Sequence, residues 1–236
     1  MITTDIVIVS YKDEVELKRC IDSIKEHCKD YNLIIEDNNT VNRFFTRAVN
    51  EGISKGTAPW VWLVNSDAII LPGAQEGLIN HFSYGPQVGI VGSMQLDYDD
   101  QDMIRHSGTI RAFPSGQHSG GRLSMGHGNI PTKQKWLNFA SVMLRRDMIS
   151  KIGLLDQSMV LLYSDSSYCY YARSQGYECW YTPASRVLHK LNASKKVTEW
   201  HEKDMKSFML RWGITYNQES NSFSYSQEFQ KLDMFP

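Results

Sequence analysis

Trp60-Val61-Trp62-Leu63-Val64-Asn65-Ser66-Asp67 joins five apolar residues, aromatic and β-branched ones prominent, to three short polar ones. An apolar run of that length without alternation is the form of a parallel strand covered on both faces. Asn32-Leu-Ile-Ile-Glu36 has the same form and stops in Asp37-Asn38-Asn39, and Asp5-Ile-Val-Ile-Val-Ser-Tyr11 is a third such run. Between them, residues 14–29 set Val15, Leu17, Cys20, Ile21 and Ile24 at helical spacings with charges interspersed. Residues 41–55 give a second helix, closed near Gly56. Strand, helix, strand, helix, strand is the order of an α/β fold, with a mainly parallel sheet, right-handed crossovers and flanking helices. Ligands of such sheets bind beyond the carboxyl ends of the strands, where Tyr11, Asp37 and Asp67 fall.

The second half reads differently. Val88–Gly92 is a further strand, followed by the acidic turn Asp97–Asp100 and a Gly/Ser/His-rich segment over 106–129. Such a segment is expected to lie outside the core and to move. Order returns at 136–144, and 146–152 forms a short helix. A helix over 168–175 stops at Gly176, where a glycine caps well. Residues 179–181 and 186–188 read as short strands, 198–212 as a helix, and the chain after Gly213 as a polar tail. Neither an internal repeat nor an interdomain linker shows. The expectation is therefore one domain over 1–236, with two halves at 1–92 and 93–213 and the tail at 214–236.

Composition narrows the function classes. The 236 residues are 42% hydrophobic and 22% charged, ordinary for a globular chain, and the formal net charge is −1. A near-neutral chain has no basic field for nucleic acid, so phosphates must be met by local geometry. Cys20, Cys28, Cys169 and Cys179 lack metal-site spacing and read as reduced thiols. No run approaches a membrane span and the first residues lack the form of a signal peptide. These features give a cytoplasmic expectation, with peripheral membrane attachment left open.

The strand ends carry the candidate chemistry. Asp67 projects from a sheet edge, where a carboxylate can either cap a turn or hold a divalent cation. Asp37 has the same position one strand over and can form an Asx turn or accept hydrogen bonds from a nucleoside. Asp165, in Leu161-Leu-Tyr-Ser-Asp-Ser-Ser167, is either a helix N-cap or a general base. His189 ends the short run Arg186-Val-Leu-His189, and a strand-end histidine is a normal metal donor. His106, His118 and His127 are too widely spaced for a metal-site template and read as loop residues.

Taken together, these residues resemble the family 2 glycosyltransferases of the GT-A fold, rhamnosyltransferase-like bacterial members included, from about Asp5 to Gly213. Ile-Val-Ile-Val-Ser10-Tyr11 resembles the first strand, whose end meets the base, and Glu36-Asp37-Asn38-Asn39 the segment that contacts the nucleoside. Ala48-Val49-Asn50-Glu51-Gly52-Ile53 is similar to the family helix whose Asn, here Asn50, faces the donor. Val64-Asn65-Ser66-Asp67 resembles the Asp-x-Asp motif in its Asn-x-Asp form, implying that Asn65 and Ser66 line the donor site and Asp67 holds metal and diphosphate. His106-Ser107-Gly108 resembles the family His-x-Gly segment, and Phe139–Arg146 with Ile152–Asp156 the block before its catalytic acids. Asp165 then falls on the second acid of the Glu-Asp pair, while Ser164 replaces the first acid and Ser167 a later one. Ala184–His189 with Ser194 is similar to the late His-x-x-x-x-Ser element, where His189 joins the metal, and Phe208–Gly213 to the closing Trp-Gly segment.

The resemblance implies transfer of a sugar of hexosyl type from a UDP-, dTDP- or GDP-sugar to a carbohydrate or lipid-linked acceptor, as in polysaccharide biosynthesis, with 1–92 as the nucleotide-sugar-binding half and 93–213 as the acceptor half of one GT-A domain. It also implies Mn2+ or Mg2+ as cofactor and inversion at the anomeric carbon. Two other readings are a nucleotide-sugar-binding module without catalysis, suggested by Ser164 and Ser167, and a sugar nucleotidyltransferase. The latter needs a basic Gly-rich loop after the first strand, and Ser10-Tyr11-Lys12-Asp13 is not one.

Overall fold

The computed structural model describes residues 1–189 and 197–234. The parallel nucleus comprises β1 (Thr4–Ser10), α1 (Glu14–His27), β2 (Tyr31–Asp37), α2 (Phe44–Lys55) and β3 (Trp60–Asn65). A short β4 (Ala68–Ile70), α3 (Ala74–His81) and a long β5 (Val88–Asp97) follow. Small strands come next: β6 (Met103–His106), β7 (Thr109–Arg111), β8 (Gln117–His118), β9 (Gly121–Arg122) and β10 (Thr132–Gln134). The chain then runs through β11 (Ser141–Arg145), α4 (Arg146–Ile152), α5 (Ser164–Ser174), β12 (Glu178–His189) and α6 (Val197–Trp212). It closes with a hairpin, β13 (Thr215–Asn217) and β14 (Ser222–Ser224), and α7 (Gln227–Met234).

The main sheet has the order β10-β12-β5-β11-β3-β1-β2, with β4 beside β12 and β6 and β9 extending from β5. β1 pairs in parallel with β2 and β3, and β12 with β5. β11 is antiparallel to both β3 and β5. The sheet is thus parallel where the sequence shows strand–helix alternation and mixed beyond it. Two runs read as separate short strands, 179–181 and 186–188, form one strand with an irregularity between Thr182 and Arg186.

The lack of alternation in the β3 run has the expected cause. Val61 and Leu63 enter one apolar cluster with Val7, Ile90, Val142 and Leu144, while Trp62 and Val64 enter another with Ile6, Ile8, Val91 and Met143. α2 covers β1 closely: a Cβ on Gly52 would lie 2.4 Å from Val7 Cγ1, so only glycine allows this approach. The sheet centre carries a buried hydroxyl ladder. Trp62 Nε1 donates to Ser141 Oγ at 3.1 Å, and Ser93 Oγ lies 2.8 Å from Ser141 Oγ and 2.7 Å from Ser185 Oγ.

Two expectations change. The 106–129 segment contributes to the core, because Ala112 and Phe113 are buried and Phe113 stacks on Phe208 with 8° between the ring planes. The polar tail also packs: Phe229 is buried against Tyr170 and Trp212, and Arg173 Nη1 donates to Leu232 O at 2.7 Å. Isolated aromatics in polar runs hide from periodicity but carry large buried areas. The four cysteines are buried free thiols. Among the described residues no helix is long and apolar enough to cross a membrane.

Candidate functional site

The parallel register aligns the ends of β1, β2 and β3, placing Ser10 beside Asp37 and Val9 beside Asn65. Their side chains are then organised by Asp13, a residue that the sequence reading passed over. Asp13 Oδ1 accepts from Ser10 Oγ at 2.8 Å and from the Tyr11 backbone N–H at 3.1 Å, and its Oδ2 accepts from Ser66 Oγ. Ser10 and Ser66 are therefore buried braces between two strand ends, while Tyr11 is 43% exposed.

At the β2 end, alternation separates two acids. Glu36 points inward and is paired with Arg43 at 3.2 Å and Lys55 at 2.5 Å. Asp37 points outward and accepts the Asn39 N–H at 2.7 Å, closing an Asx turn. Asn38 is buried and holds the same turn, donating to Phe44 O at 3.1 Å and accepting from Arg43 Nε at 3.1 Å. Of the residues assigned to the nucleoside segment, Asp37 presents its carboxylate outward and Asn38 supports the turn behind it.

Asn50, which the resemblance sets toward the donor, is held by backbone in this structure. Its Nδ2 donates to Leu155 O at 2.8 Å and its Oδ1 accepts from Leu155 N at 3.0 Å, so the buried amide is committed to backbone. Thr46 Oγ1 donates to Met159 O at 2.6 Å, and Asp204 accepts the N–H groups of Val160, Leu161 and Leu162 at 2.8–3.0 Å. Polar backbone under cover must be paired. These three side chains do so for the loop that leads into α5 and Asp165.

The β3 end meets β12. His189 Nε2 lies 3.3 Å from Asp67 Oδ1 and 3.4 Å from Asn65 Nδ2. On the far side of the ring, His189 Nδ1 lies 3.1 Å from Gln95 Oε1. A carbonyl oxygen can only accept, so Nδ1 donates to Gln95 and Nε2 is the ring atom turned toward Asp67. A carboxylate oxygen and a ring nitrogen at 3.3 Å share a proton or a cation between them, and this donor set of carboxylate oxygen and imidazole nitrogen suits a divalent metal. Among the described residues no group of three His, Cys, Asp or Glu forms a closed metal cage. Ser194 lies outside the described residues.

Asp165 sits in the first turn of α5, after Tyr163 in a left-handed conformation with φ of 60°. Burial pushes its carboxyl up to about 6, against the opposing pull of backbone N–H groups at Ser166, Asp165 and Phe139. The Phe139 contact matters for placement, since the next residue's carbonyl, Ala140 O, accepts the Asn65 N–H at 2.9 Å. Asp165 and Asn65 thus flank the same 139–140 turn. Of the serines at the family's acid positions, Ser164 is buried, and Ser167 Oγ accepts from Trp212 Nε1 at 3.1 Å.

His106 is also no simple loop residue. It is 2% exposed, and its Nδ1 lies 3.0 Å from His118 Nδ1. His127 instead accepts the Arg122 N–H at 2.9 Å through its own Nδ1. The 97–100 turn is a solvated hairpin as expected, with Asp97 held by Arg105.

Comparison with known proteins follows this geometry. The family described as glycosyltransferase-like family 2 matches residues 1–215. No curated protein matches the chain. The solved structure of GalNAc-T7 with UDP, GalNAc and Mn2+ aligns at a TM-score of 0.69 and 12% identity, over 89% of this chain and 48% of that one. The mannosyltransferase PcManGT from Pyrobaculum calidifontis, in complex with GDP-Man and Mn2+, aligns at 0.62 and 11% identity, over 98% of this chain and 68% of that one. The chain therefore spans about half the length of the GalNAc-T7 chain. At these identities the likeness concerns the fold, which is the GT-A fold expected from the sequence.

Proposed function

Because the chain belongs to the glycosyltransferase-like family 2, we propose that it moves a sugar from a nucleotide-diphosphate sugar to an acceptor hydroxyl, with inversion at the anomeric carbon. The observation that carries this reading is His189 Nε2 facing Asp67 Oδ1 at 3.3 Å, at the sheet edge that also presents Asp37 and Tyr11. Asp67 and His189 would hold Mn2+ or Mg2+, which supplies positive charge to the leaving diphosphate. Two protein donors leave room for donor oxygens, so donor and cation are expected to bind together. The two GT-A structures above contain UDP or GDP-Man with Mn2+, in keeping with a UDP-, dTDP- or GDP-sugar donor.

Asp37 accepts hydrogen bonds from the nucleoside while Tyr11 lies beside it, and Asp13 holds Ser10 and Ser66 so that both strand ends keep their spacing. Asp165 takes the proton from the acceptor hydroxyl as the new glycosidic bond forms. A carboxyl raised to about 6 is still ionised near neutrality and is a stronger base than an exposed aspartate. On the acceptor half, a hollow of about 450 Å³ is lined by Ser107, Thr109, His127, Asn129, Gln134 and Tyr181 among others. Hydroxyl, amide and imidazole groups of that kind suit a carbohydrate acceptor.

The test is a donor screen read by calorimetry. Nucleoside diphosphates should bind with Mn2+ and bind far more weakly after chelation, and the matching sugar nucleotide should be consumed with a saccharide acceptor. Binding without any turnover would favour the alternative of a non-catalytic nucleotide-sugar module. Metal-independent binding would remove the role given to Asp67 and His189.

A further inference from the structure

Arg43 stands just before α2, and its side chain reaches back to the end of β2 rather than capping its own helix. Nη2 donates to Asp37 O at 2.9 Å and Nε to Asn38 Oδ1 at 3.1 Å. Nη1 donates to Glu36 Oε2 at 3.2 Å and also to Glu51 Oε2. Four of the five guanidinium N–H groups are thus engaged, three of them on the consecutive residues Glu36, Asp37 and Asn38. The fork is itself held from behind: Lys55 Nζ lies 2.5 Å from Glu36 Oε1, and Arg47 Nε donates to Glu51 Oε1 at 2.9 Å. Burial accounts for part of this, since Glu36 is 1% exposed and a buried carboxylate needs cations beside it. It does not account for the bond to Asp37 O, because Asp37 is exposed and water could serve its carbonyl.

We propose that Arg43 is a positioning residue for the donor: its planar fork fixes the Asp37–Asn38 turn so that the Asp37 carboxylate stays aimed at the nucleoside. This deepens the reading of Asp37 given above and rests on it. Asp37 Oδ1 is already committed to the Asn39 N–H, so the direction of its other oxygen follows from the shape of the turn. Asn39 Oδ1 in turn accepts the Lys12 N–H at 2.7 Å, which carries the same restraint to the chain beside Tyr11. Without the fork, the nucleoside would have to order this turn as it binds, and that ordering weakens affinity. A guanidinium whose charge is shared by Glu36 and Glu51 is poorly placed to hold phosphate as well. Arg43 therefore acts on nucleoside affinity, and the diphosphate end at Asp67 and His189 does not depend on it.

Arg43→Lys tests this, because lysine keeps a cation beside Glu36 while its single ammonium cannot bridge Asp37 O and Asn38 Oδ1 together. Calorimetry with Mn2+ compares UDP, dTDP, GDP and inorganic pyrophosphate on the parent and the variant. The nucleoside diphosphate that the parent prefers should bind the variant about 10-fold more weakly, and pyrophosphate should bind both alike. With the matching sugar nucleotide, the donor KM should rise while kcat holds. Equal diphosphate affinity in the two proteins, or a parallel loss of pyrophosphate, overturns the proposal. Amide hydrogen exchange read by NMR gives a second readout that needs no ligand. The Asn39 N–H, closed on Asp37, should exchange about 10-fold faster in the variant, while the Thr46 N–H, held by Val160 O, stays as in the parent. Unchanged exchange at Asn39 also overturns the proposal. If Arg43→Lys fails to fold, Glu51→Gln, which loosens the fork from its outer side, decides by the same split. If the parent binds none of the three diphosphates, the donor reading falls and takes the positioning role with it, whereas exchange at Asn39 still shows whether Arg43 holds the turn.

Discussion

His189 and Asp67 face each other across the ends of β12 and β3, with Nε2 and Oδ1 3.3 Å apart. They are 122 positions apart in the chain, and β4 brings them together by pairing Ala68 with His189 of β12. An aspartate that merely closed a turn would not need a ring nitrogen in front of it.

Asp67→Asn is therefore expected to keep the fold, since the side chain supports no core, while weakening Mn2+-dependent diphosphate binding at least about 10-fold. Losing one charged ligand from a site with two protein donors is felt directly. Calorimetry with and without Mn2+ checks this. Unchanged metal-dependent affinity in the variant would reject Asp67 as a ligand.

Asp37 can be tested apart from its turn. Asp37→Asn retains an oxygen for the Asn39 N–H, so the Asx turn survives, but the charged acceptor is lost. Hydrogen bonds to charged groups contribute about 1.5–3 kcal/mol, so affinity for nucleoside and nucleoside diphosphate should both fall about 10–100-fold. A loss confined to the diphosphate would place Asp37 at the phosphates instead.

Asn50→Ala should act on stability rather than on donor binding. The substitution strands Leu155 N–H and O, which are buried and, among the described residues, bonded to Asn50 alone. Two such losses cost about 2–4 kcal/mol. Thermal melts should show a clear drop, with donor affinity of the folded variant near that of the parent. A stable variant that binds donor poorly would return Asn50 to the donor site.

The division between what the sequence shows and what it hides follows contact distance. Val61 to Val64 announce a doubly covered strand because burial on both faces writes itself into four successive residues. The strand-end positions of Asp37, Asp67 and His189 are legible because a strand end is a local feature of the sequence. Asp13 leaves no local signal because its partner Ser66 is 53 residues away, and Gln95 leaves none because His189 is 94 away. The backbone role of Asn50 is hidden for the same reason, its partner Leu155 lying 105 residues on. Asp204 sits in α6 like any solvated acid, yet it is fully buried under three backbone N–H groups. A polar residue that serves a distant loop leaves no periodic trace.

Asp165 gives the last prediction, with two independent readouts. If it is the base, kcat/KM should rise with pH through about 6, because the protonated carboxyl cannot accept the acceptor's proton. Asp165→Asn should lower turnover about 10²–10⁴-fold while donor and Mn2+ binding persist. Stability supplies the second readout, and its sign is opposite to that of a salt-bridged acid. The folded carboxyl titrates near 6 against 3.8 for an ordinary one, so below about pH 4 both states are protonated and the group contributes nothing. Between those values the unfolded chain ionises first, and stability falls as pH rises. Above about 6 the full cost is present, about 1–3 kcal/mol with partial exposure allowed for. Asparagine does not ionise and can still accept the Ser166 N–H, so Asp165→Asn should melt like the parent near pH 4 and above it at pH 7 to 8. A residue that only capped α5 would show neither effect: asparagine caps as well as aspartate, and both activity and the pH dependence of melting would stay with the parent. A variant that gains stability at neutral pH and keeps full turnover would confirm the burial of Asp165 and end its role as base.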